Sequence, residues 1–296
     1  MYKIVKKQML TPTIFEMEIE APRVAKSALP GQFIILRTDE KGERIPLTIS
    51  DYDAEKGTVS IVTQAVGKST MELMTYNEGD SIADFVGPLG CPSDLCSESP
   101  EELAKKNIIF VAGGVGAAPI YPQVKWLKQH GIKADVLIGA RNKDLLILVE
   151  EMKEVAENVY IATDDGTAGF AGRATDLLDD LVKNQGKEYN HAVVIGPMIM
   201  MKFTSMATKA LGIHTIVSLN PIMVDGTGMC GACRVVVDGE VKFACVDGPE
   251  FDGHKVDYDG AMRRQTMYKT EEGQAKLKFE EGSTHKNGGC GCGGDK

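Results

Sequence analysis

No apolar run in this chain reaches the ~18 residues that a membrane-spanning helix needs, so the sequence predicts no such span. The first residues, Met1-Tyr2-Lys3-Ile4, lack the apolar stretch of a secretory signal, and the expected location is cytoplasmic. An excess of positive charge is also missing. Lys and Arg number 33 against 42 Asp and Glu, for a net charge of −9, which argues against nonspecific nucleic-acid binding. The five His residues (His130, His191, His214, His254, His285) show no metal-ligand spacing, and there are no internal repeats. Cys is sparse and odd in number, at seven. In a cytosolic chain that pattern suits metal binding better than a disulfide framework. What is present is ordinary for a soluble globular protein: 25% charged and 43% hydrophobic residues. At 296 residues the chain is long enough for two domains and a small module.

Four residues stand out: Asp225, Cys230, Cys233 and Cys245, spaced D-x4-C-x2-C-x11-C. Plant-type [2Fe–2S] sites place Cys at x4 and x2 spacing, with a distant fourth Cys. Here a carboxylate stands in the first position. Glycines at 226, 228 and 231 suit tight wrapping around a small cluster. A hairpin is expected from Arg234 to Val237 and from Val241 to Ala244, turning at Asp238-Gly239 and bringing Cys245 back to the loop. Two other readings accompany this one. Zinc also accepts Cys and Asp, and Asp225 also suits a plain Asp-Gly turn, with a fourth ligand from Cys290 or Cys292.

Residues 1–99 read as an all-β barrel, with short strands at Phe15–Ile19, Phe33–Arg37, Val59–Thr63 and Ser81–Val86 separated by Gly and Pro. From about residue 100 to 220 strands alternate with helices, which predicts an α/β doubly wound parallel sheet. Residues 221–260 form the cluster module. Residues 261–296 are polar, end in a Gly-Cys-rich stretch, and are expected to be mobile.

Each of the first two units offers a site for a dinucleotide. In the barrel, Arg44-Ile45-Pro46-Leu47-Thr48 ends a strand, and Gly67-Lys68-Ser69-Thr70 follows another and opens a helix. A guanidinium forks onto pyrophosphate, and amides at a helix start cap phosphate oxygens. Ile61, Val62 and Thr63 end the strand before that turn and join the candidate contacts. A phosphate-loop motif would require Gly where Val62 stands, so that alternative fails. In the α/β unit, Gly113-Gly114-Val115-Gly116-Ala117-Ala118-Pro119 links the first strand to the first helix. Ala140 and Arg141, then Thr163-Asp164-Asp165-Gly166, then Gly196-Pro197-Met198 end the following strands on the same edge. That carboxyl edge is where such sheets bind ligands. An Asp near the adenosine ribose favours NAD, whereas Arg141 argues for NADP. Asp164 and Asp165 also suit a simple turn.

The ordered set R-x-P-x-T, G-K-S-T and G-G-x-G-x-x-P resembles the ferredoxin-NADP reductase superfamily over about residues 1–220. The resemblance implies FAD on the barrel and NAD(H), or NADP(H), on the α/β domain. The family more often has Tyr before its Ser or Thr, where this chain has Pro46 and Leu47. That departure resembles the electron-transfer subunits of dihydroorotate dehydrogenase. Those usually carry Cys at the position of Asp225, whereas small subunits of electron-bifurcating NADH-dependent ferredoxin:NADP oxidoreductases carry an Asp-ligated cluster. With them the resemblance extends to about residue 260. It implies a heterodimer with a larger subunit carrying FAD and [4Fe–4S] clusters, and electron exchange with ferredoxin. No residue is expected to act as a general acid or base. A zinc-stapled nucleotide-binding regulator is the reading from another class.

Overall fold

The computed structural model describes residues 1–287, with side chains described through residue 282. Cys290 and Cys292 lie outside the described residues.

The first unit contains β1 (Tyr2–Met9), β2 (Ile14–Glu20), α1 (Pro22–Ser27), β3 (Phe33–Arg37), β4 (Ile45–Asp53), β5 (Thr58–Gln64), α2 (Lys68–Thr75), β6 (Ser81–Ile82) and β7 (Asp84–Leu89). Strand order is β6-β1-β2-β5-β4-β3-β7, and every pairing is antiparallel. The two edge strands, β6 and β7, are separated only by Ala83, so one bent segment pairs with β1 at its start and β3 at its end. The bend is pinned by the Ala83 amide, which donates to the carbonyls of Arg37 and Thr38 at 3.1 Å each. This nearly closes the sheet into a barrel and leaves little free edge. The interior is filled by alternate residues of the strands, among them Phe15, Met17, Ile34, Ile49, Ile61 and Phe85.

The second unit contains α3 (Pro100–Leu103), β8 (Ile108–Gly113), α4 (Ala117–Gln129), β9 (Ala134–Ala140), α5 (Val149–Val155), β10 (Asn158–Thr163), β11 (Phe170–Ala171), α6 (Ala174–Lys183), β12 (His191–Ile195), α7 (Met198–Ala210) and β13 (His214–Ser218). Its sheet runs β11-β10-β9-β8-β12-β13 with parallel pairings throughout. All six residues of β8 are buried, as a central parallel strand covered on both faces requires. The chain leaves β8 towards β9 on one side and later returns to β12 on the other. The carboxyl ends of β8 and β12 therefore flank the switch point, where such sheets open a crevice.

The cluster segment carries β14 (Arg234–Val237) and β15 (Glu240–Phe243), paired as the expected hairpin with Val236 opposite Val241. Asp238 sits at φ 54° and Gly239 at φ 79°, the left-handed pair of such a turn. The chain then forms β16 (Glu250–Asp252), which pairs antiparallel with β13, Ser218 opposite Glu250. The α/β sheet thus has a seventh strand, drawn from the cluster segment, that the sequence reading did not foresee.

Over residues 261–287 the expectation of a mobile polar tail is corrected, and the rest of that tail lies outside the described residues. Helix α8 (Tyr258–Gln265) spans that boundary, capped by Asp257, whose carboxylate accepts the Gly260 amide at 2.9 Å. Helix α9 (Lys269–Asn287) follows and packs against α2. The α9 segment carries four Lys and four Glu and has no Pro, so helix propensity stands behind it without a strong apolar stripe. No helix among the described residues is long and apolar enough to cross a membrane.

Candidate functional site

Strand β4 changes partners along its length. Pro46, Leu47 and Thr48 pair with Ile35, Ile34 and Phe33 of β3, whereas pairing with β5 begins only at Ile49 opposite Ile61. A register shift between Ile49 and Asp51 bends the strand. The first half of β4 therefore diverges from the end of β5, and Ile45 through Thr48 are all half-exposed. Beside this gap, Thr63 is 2% exposed and its Oγ1 has no hydrogen-bond partner among the described residues. A buried hydroxyl without a partner is costly, and a ligand with polar atoms lying in the gap would satisfy it. Val62 is nearly buried, and the Ile61 side chain lies wholly in the barrel core, which leaves only its backbone for a ligand.

Helix α2 begins beside the same gap, with Gly67 in extended conformation as its N-cap. Thr70 Oγ1 accepts the amides of Val66 and Gly67 at 3.0 and 3.1 Å. The amides of Lys68 and Ser69 belong to a first turn that offers no intrahelical acceptor, which is the arrangement that receives phosphate. The two side chains are turned elsewhere: Lys68 Nζ pairs with Glu72 at 2.6 Å, and Ser69 Oγ bonds Glu43.

Arg44 does not extend towards this helix. Its Nε donates to the Val224 carbonyl at 2.9 Å and its Nη2 to the Asp225 carbonyl at 3.3 Å. Both acceptors lie at the start of the cluster loop. Arg44 thus ties the barrel to the cluster segment, and the pyrophosphate fork expected of it is not among these bonds. The guanidinium meets chain carbonyls that sequence distance, 180 residues, concealed.

At the α/β crevice the glycine turns share one edge, as expected. Gly116 allows the closest approach: a Cβ there would stand 2.1 Å from the Ile195 carbonyl oxygen. Gly114 differs, with φ +56° and nothing within 4 Å of a built Cβ, so it leaves open space at the start of α4. Gly113 and Gly196 pack against each other and against Met200. Pro119 lies in the first turn of α4, and Pro197 caps α7 ahead of the buried Met198. Val115 lies in the short helical turn between Gly114 and Gly116.

Thr163 is wholly buried, its hydroxyl donating to the Ala168 carbonyl at 2.7 Å and accepting the Ala168 amide. The amides of Asp164 and Asp165 donate to the carbonyls of Ala140 and Arg141 at 3.1 and 3.2 Å. The Asp165 carboxylate accepts the Thr167 hydroxyl and amide, which hold its pKa below the usual range. Gly166, at φ 72°, completes that turn. Asp165 therefore serves the turn, whereas the exposed Asp164 and Arg141 stand at the crevice rim.

The cluster loop rests on the barrel. A Cβ at Gly226 would meet Ile35 Cδ1 at 2.7 Å and Leu89 Cδ1 at 2.9 Å, and φ there is +81°. Across the hairpin, Cys233 and Cys245 are both 2% exposed and their Sγ atoms are 3.2 Å apart. Burial, then the Cys233 thiol, push the Cys245 thiol up to about 12. A metal relieves that cost by accepting the sulfur as a thiolate. Thiolates on one tetrahedral metal with ~2.3 Å bonds lie about 3.7 Å apart, so the pair suits a single iron. Cys230 is exposed and Asp225 half-buried, and neither joins them. Among the described residues no three His, Cys, Asp or Glu converge as a metal group. The Asp225 carboxylate accepts the Thr227 hydroxyl at 2.6 Å and the amides of Thr227 and Met229 at 3.0 Å each, which hold its pKa low. It is ionised and already borders the loop that carries Cys230, so the donor set fits a small iron–sulfur cluster.

Known proteins align with this division. Residues 220–257 match the iron-sulfur cluster binding domain of dihydroorotate dehydrogenase B, and residues 110–206 match the oxidoreductase NAD-binding domain. The chain is 71% identical over its whole length to an uncharacterized protein from an adh 3′ region of Clostridium beijerinckii, also covered in full. It is 47% identical to a dihydroorotate dehydrogenase B (NAD(+)) electron transfer subunit homolog of Thermotoga maritima, over 94% of each chain. Against the corresponding electron transfer subunit of Desulforamulus reducens, identity is 32%, over 86% of this chain and 96% of that one. Among solved structures, an NADH-dependent reduced ferredoxin-NADP oxidoreductase, described for its flavin-based electron bifurcation, superposes with a TM-score of 0.86. Identity there is 46%, with 94% of this chain and 98% of that chain covered.

Proposed function

Since this chain belongs to the family of dihydroorotate dehydrogenase B electron-transfer subunits and their homologues, within the ferredoxin-NADP reductase superfamily, we propose that it is the small subunit of an NADH-dependent ferredoxin:NADP oxidoreductase. It is a redox-enzyme subunit of FAD, a [2Fe–2S] cluster and NAD(H). When bound, these groups supply hydride exchange between NAD(H) and the flavin and single-electron exchange through the cluster. The residues supply position. The gap between β4 and β5, bordered by Pro46, Leu47, Thr48, Val62, Thr63 and the Gly67–Thr70 turn, holds the flavin. The crevice at Gly113–Gly116, Ala140–Arg141, Asp164 and Gly196–Pro197 holds the nicotinamide nucleotide. Asp225, Cys230, Cys233 and Cys245 hold the cluster. We divide the chain functionally into 1–99, 100–220, 221–260 and a tail, while β16 binds the third part to the second.

The single observation that carries this reading is Asp225 in the first ligand register of a chain 46% identical to the bifurcating enzyme over nearly its full length. Identity to a dihydroorotate dehydrogenase subunit proper is lower, at 32%. The protein works in a heteromeric complex with a larger flavoprotein. That partner carries [4Fe–4S] clusters and passes electrons to and from ferredoxin, a reading supported by the likeness to the oxidoreductase. Anaerobic co-purification tests it. Recovery with an NADP-binding flavoprotein, and NADH-dependent ferredoxin turnover by the pair, are expected. Recovery with a dihydroorotate-oxidising barrel would assign the chain to pyrimidine oxidation instead.

A further inference from the structure

Between β14 and α8 lies a cavity of about 330 Å³ that the nucleotide and cluster sites do not use. Arg234, Arg263 and Arg264 line it, with Asp257 and Met267. In a chain of net charge −9 this is a local concentration of positive charge. The one carboxylate on the wall, Asp257, is occupied in capping α8. None of the three arginines forms an ion pair among the described residues. Arg264 Nη2 donates to the Ala232 carbonyl at 3.2 Å, whereas its Nε is buried with no partner among those residues. A buried guanidinium N–H left unmatched is costly, and an anion in the cavity would satisfy it.

The position gives this cavity its meaning. Ala232 lies between Cys230 and Cys233, and Arg234 directly follows Cys233. An anion gripped here would therefore be one hydrogen bond from the cluster loop. The surroundings are apolar and open: Met267 is 52% exposed, Tyr268 51% and Met229, on the loop itself, 86%. Arginine among exposed Met and Tyr is the composition of a protein interface.

We propose that this cavity receives a carboxylate side chain of the larger flavoprotein subunit, fixing that subunit against the cluster loop. This rests on the proposed function, which supplies the partner. The test uses the flavin- and iron-loaded subunit with its purified partner. Arg263→Glu and Arg234→Glu, both at exposed positions, are each expected to weaken the complex at least tenfold and to flatten its salt dependence. Arg263→Lys is expected to retain most of the affinity and to give a carbodiimide cross-link from the new amine to an Asp or Glu of the partner. Affinity within twofold of wild type for both Glu variants would overturn the proposal. So would a cross-link that inorganic phosphate abolishes while affinity is untouched, which would mark a small-anion pocket. If wild type itself finds no flavoprotein partner, the functional reading falls as well; if wild type and variants bind that partner alike, only the docking site falls.

Discussion

Arg44 of the barrel donates from Nε to the main-chain carbonyl of Val224 at 2.9 Å, and so grips the start of the cluster loop. Hydrogen bonds from a charged donor contribute about 1.5–3 kcal/mol. Arg44→Ala is therefore expected to speed iron loss to a chelator roughly tenfold or more. Flavin content should fall little. A variant that loses flavin first and keeps its iron would return Arg44 to the pyrophosphate.

Asp225 can be tested by separating its two roles. Asn keeps an acceptor oxygen for the amides of Thr227 and Met229 but removes the charge that a metal site uses. We expect Asp225→Asn to purify with markedly less iron and sulfide, and Asp225→Cys to keep a cluster with an altered potential. Iron, sulfide and electron paramagnetic resonance measurements decide. A full, spectrally unchanged cluster in Asp225→Asn would make the carboxylate a turn residue alone.

Glu250 lies where barrel, α/β sheet and cluster segment meet. Its Oε1 accepts Gln123 Nε2 at 2.7 Å, and burial pushes its pKa up to about 7 from an ordinary 4.5. A carboxyl raised on folding binds its proton more tightly in the native state. Its contribution is thus full below about 4.5 and declines as pH rises through 7. Glu250→Gln is expected to stabilise the protein at pH 8 by on the order of 1–3 kcal/mol, with the gain vanishing near pH 4.5. Thermal unfolding of both proteins across that range measures it; a gain independent of pH would refute the ionisation cost.

His191, at the opposite edge of the sheet, has the reverse sign. It is 5% exposed, and burial with Lys106 nearby lowers its pKa to about 3 from 6.5. Stability due to the neutral ring is complete above 6.5 and lost as pH falls towards 3. His191→Gln should flatten the acid limb of the unfolding profile over that interval. An unchanged slope would show that the ring does not charge on unfolding.

Gly114 and Gly116 should part company. A methyl at Gly116 would overlap the Ile195 carbonyl, so Gly116→Ala is expected to cost about 1–3 kcal/mol or more, by analogy with overpacked sites. At Gly114 the space is open and only the left-handed backbone resists, at about 1–2 kcal/mol. Gly114→Ala should fold and lose NADH affinity, as read by flavin reduction rates.

The strand and helix order of the α/β unit was legible because buried parallel strands are continuous apolar runs, as in Ile108–Ala112, and the glycines punctuate their ends. The helix at Lys68 and the hairpin around Asp238-Gly239 were legible from turn chemistry alone. Strand β16 was not. Three residues after Gly248-Pro249 carry no periodicity, and only the exposed flank of β13 makes them a strand. Helix α9 was hidden for the opposite reason: its polarity reads as solvated tail, and propensity with contact to α2 made it helical. In the site, the cysteine spacing announced the pairing of Cys233 and Cys245, but the partners of Arg44 lie 180 residues away, and no local pattern reports such contacts.

Strand β16 closes the excursion that begins after β13, so the cluster segment leaves and re-enters the chain on the same sheet, Ser218 facing Glu250. A redox carrier on a free linker must search for its donor, and its transfer rate is set by diffusion. A carrier stitched down at both ends keeps one donor–acceptor gap through every turnover. What remains adjustable is its outward face, and the traffic of electrons is governed by who docks there.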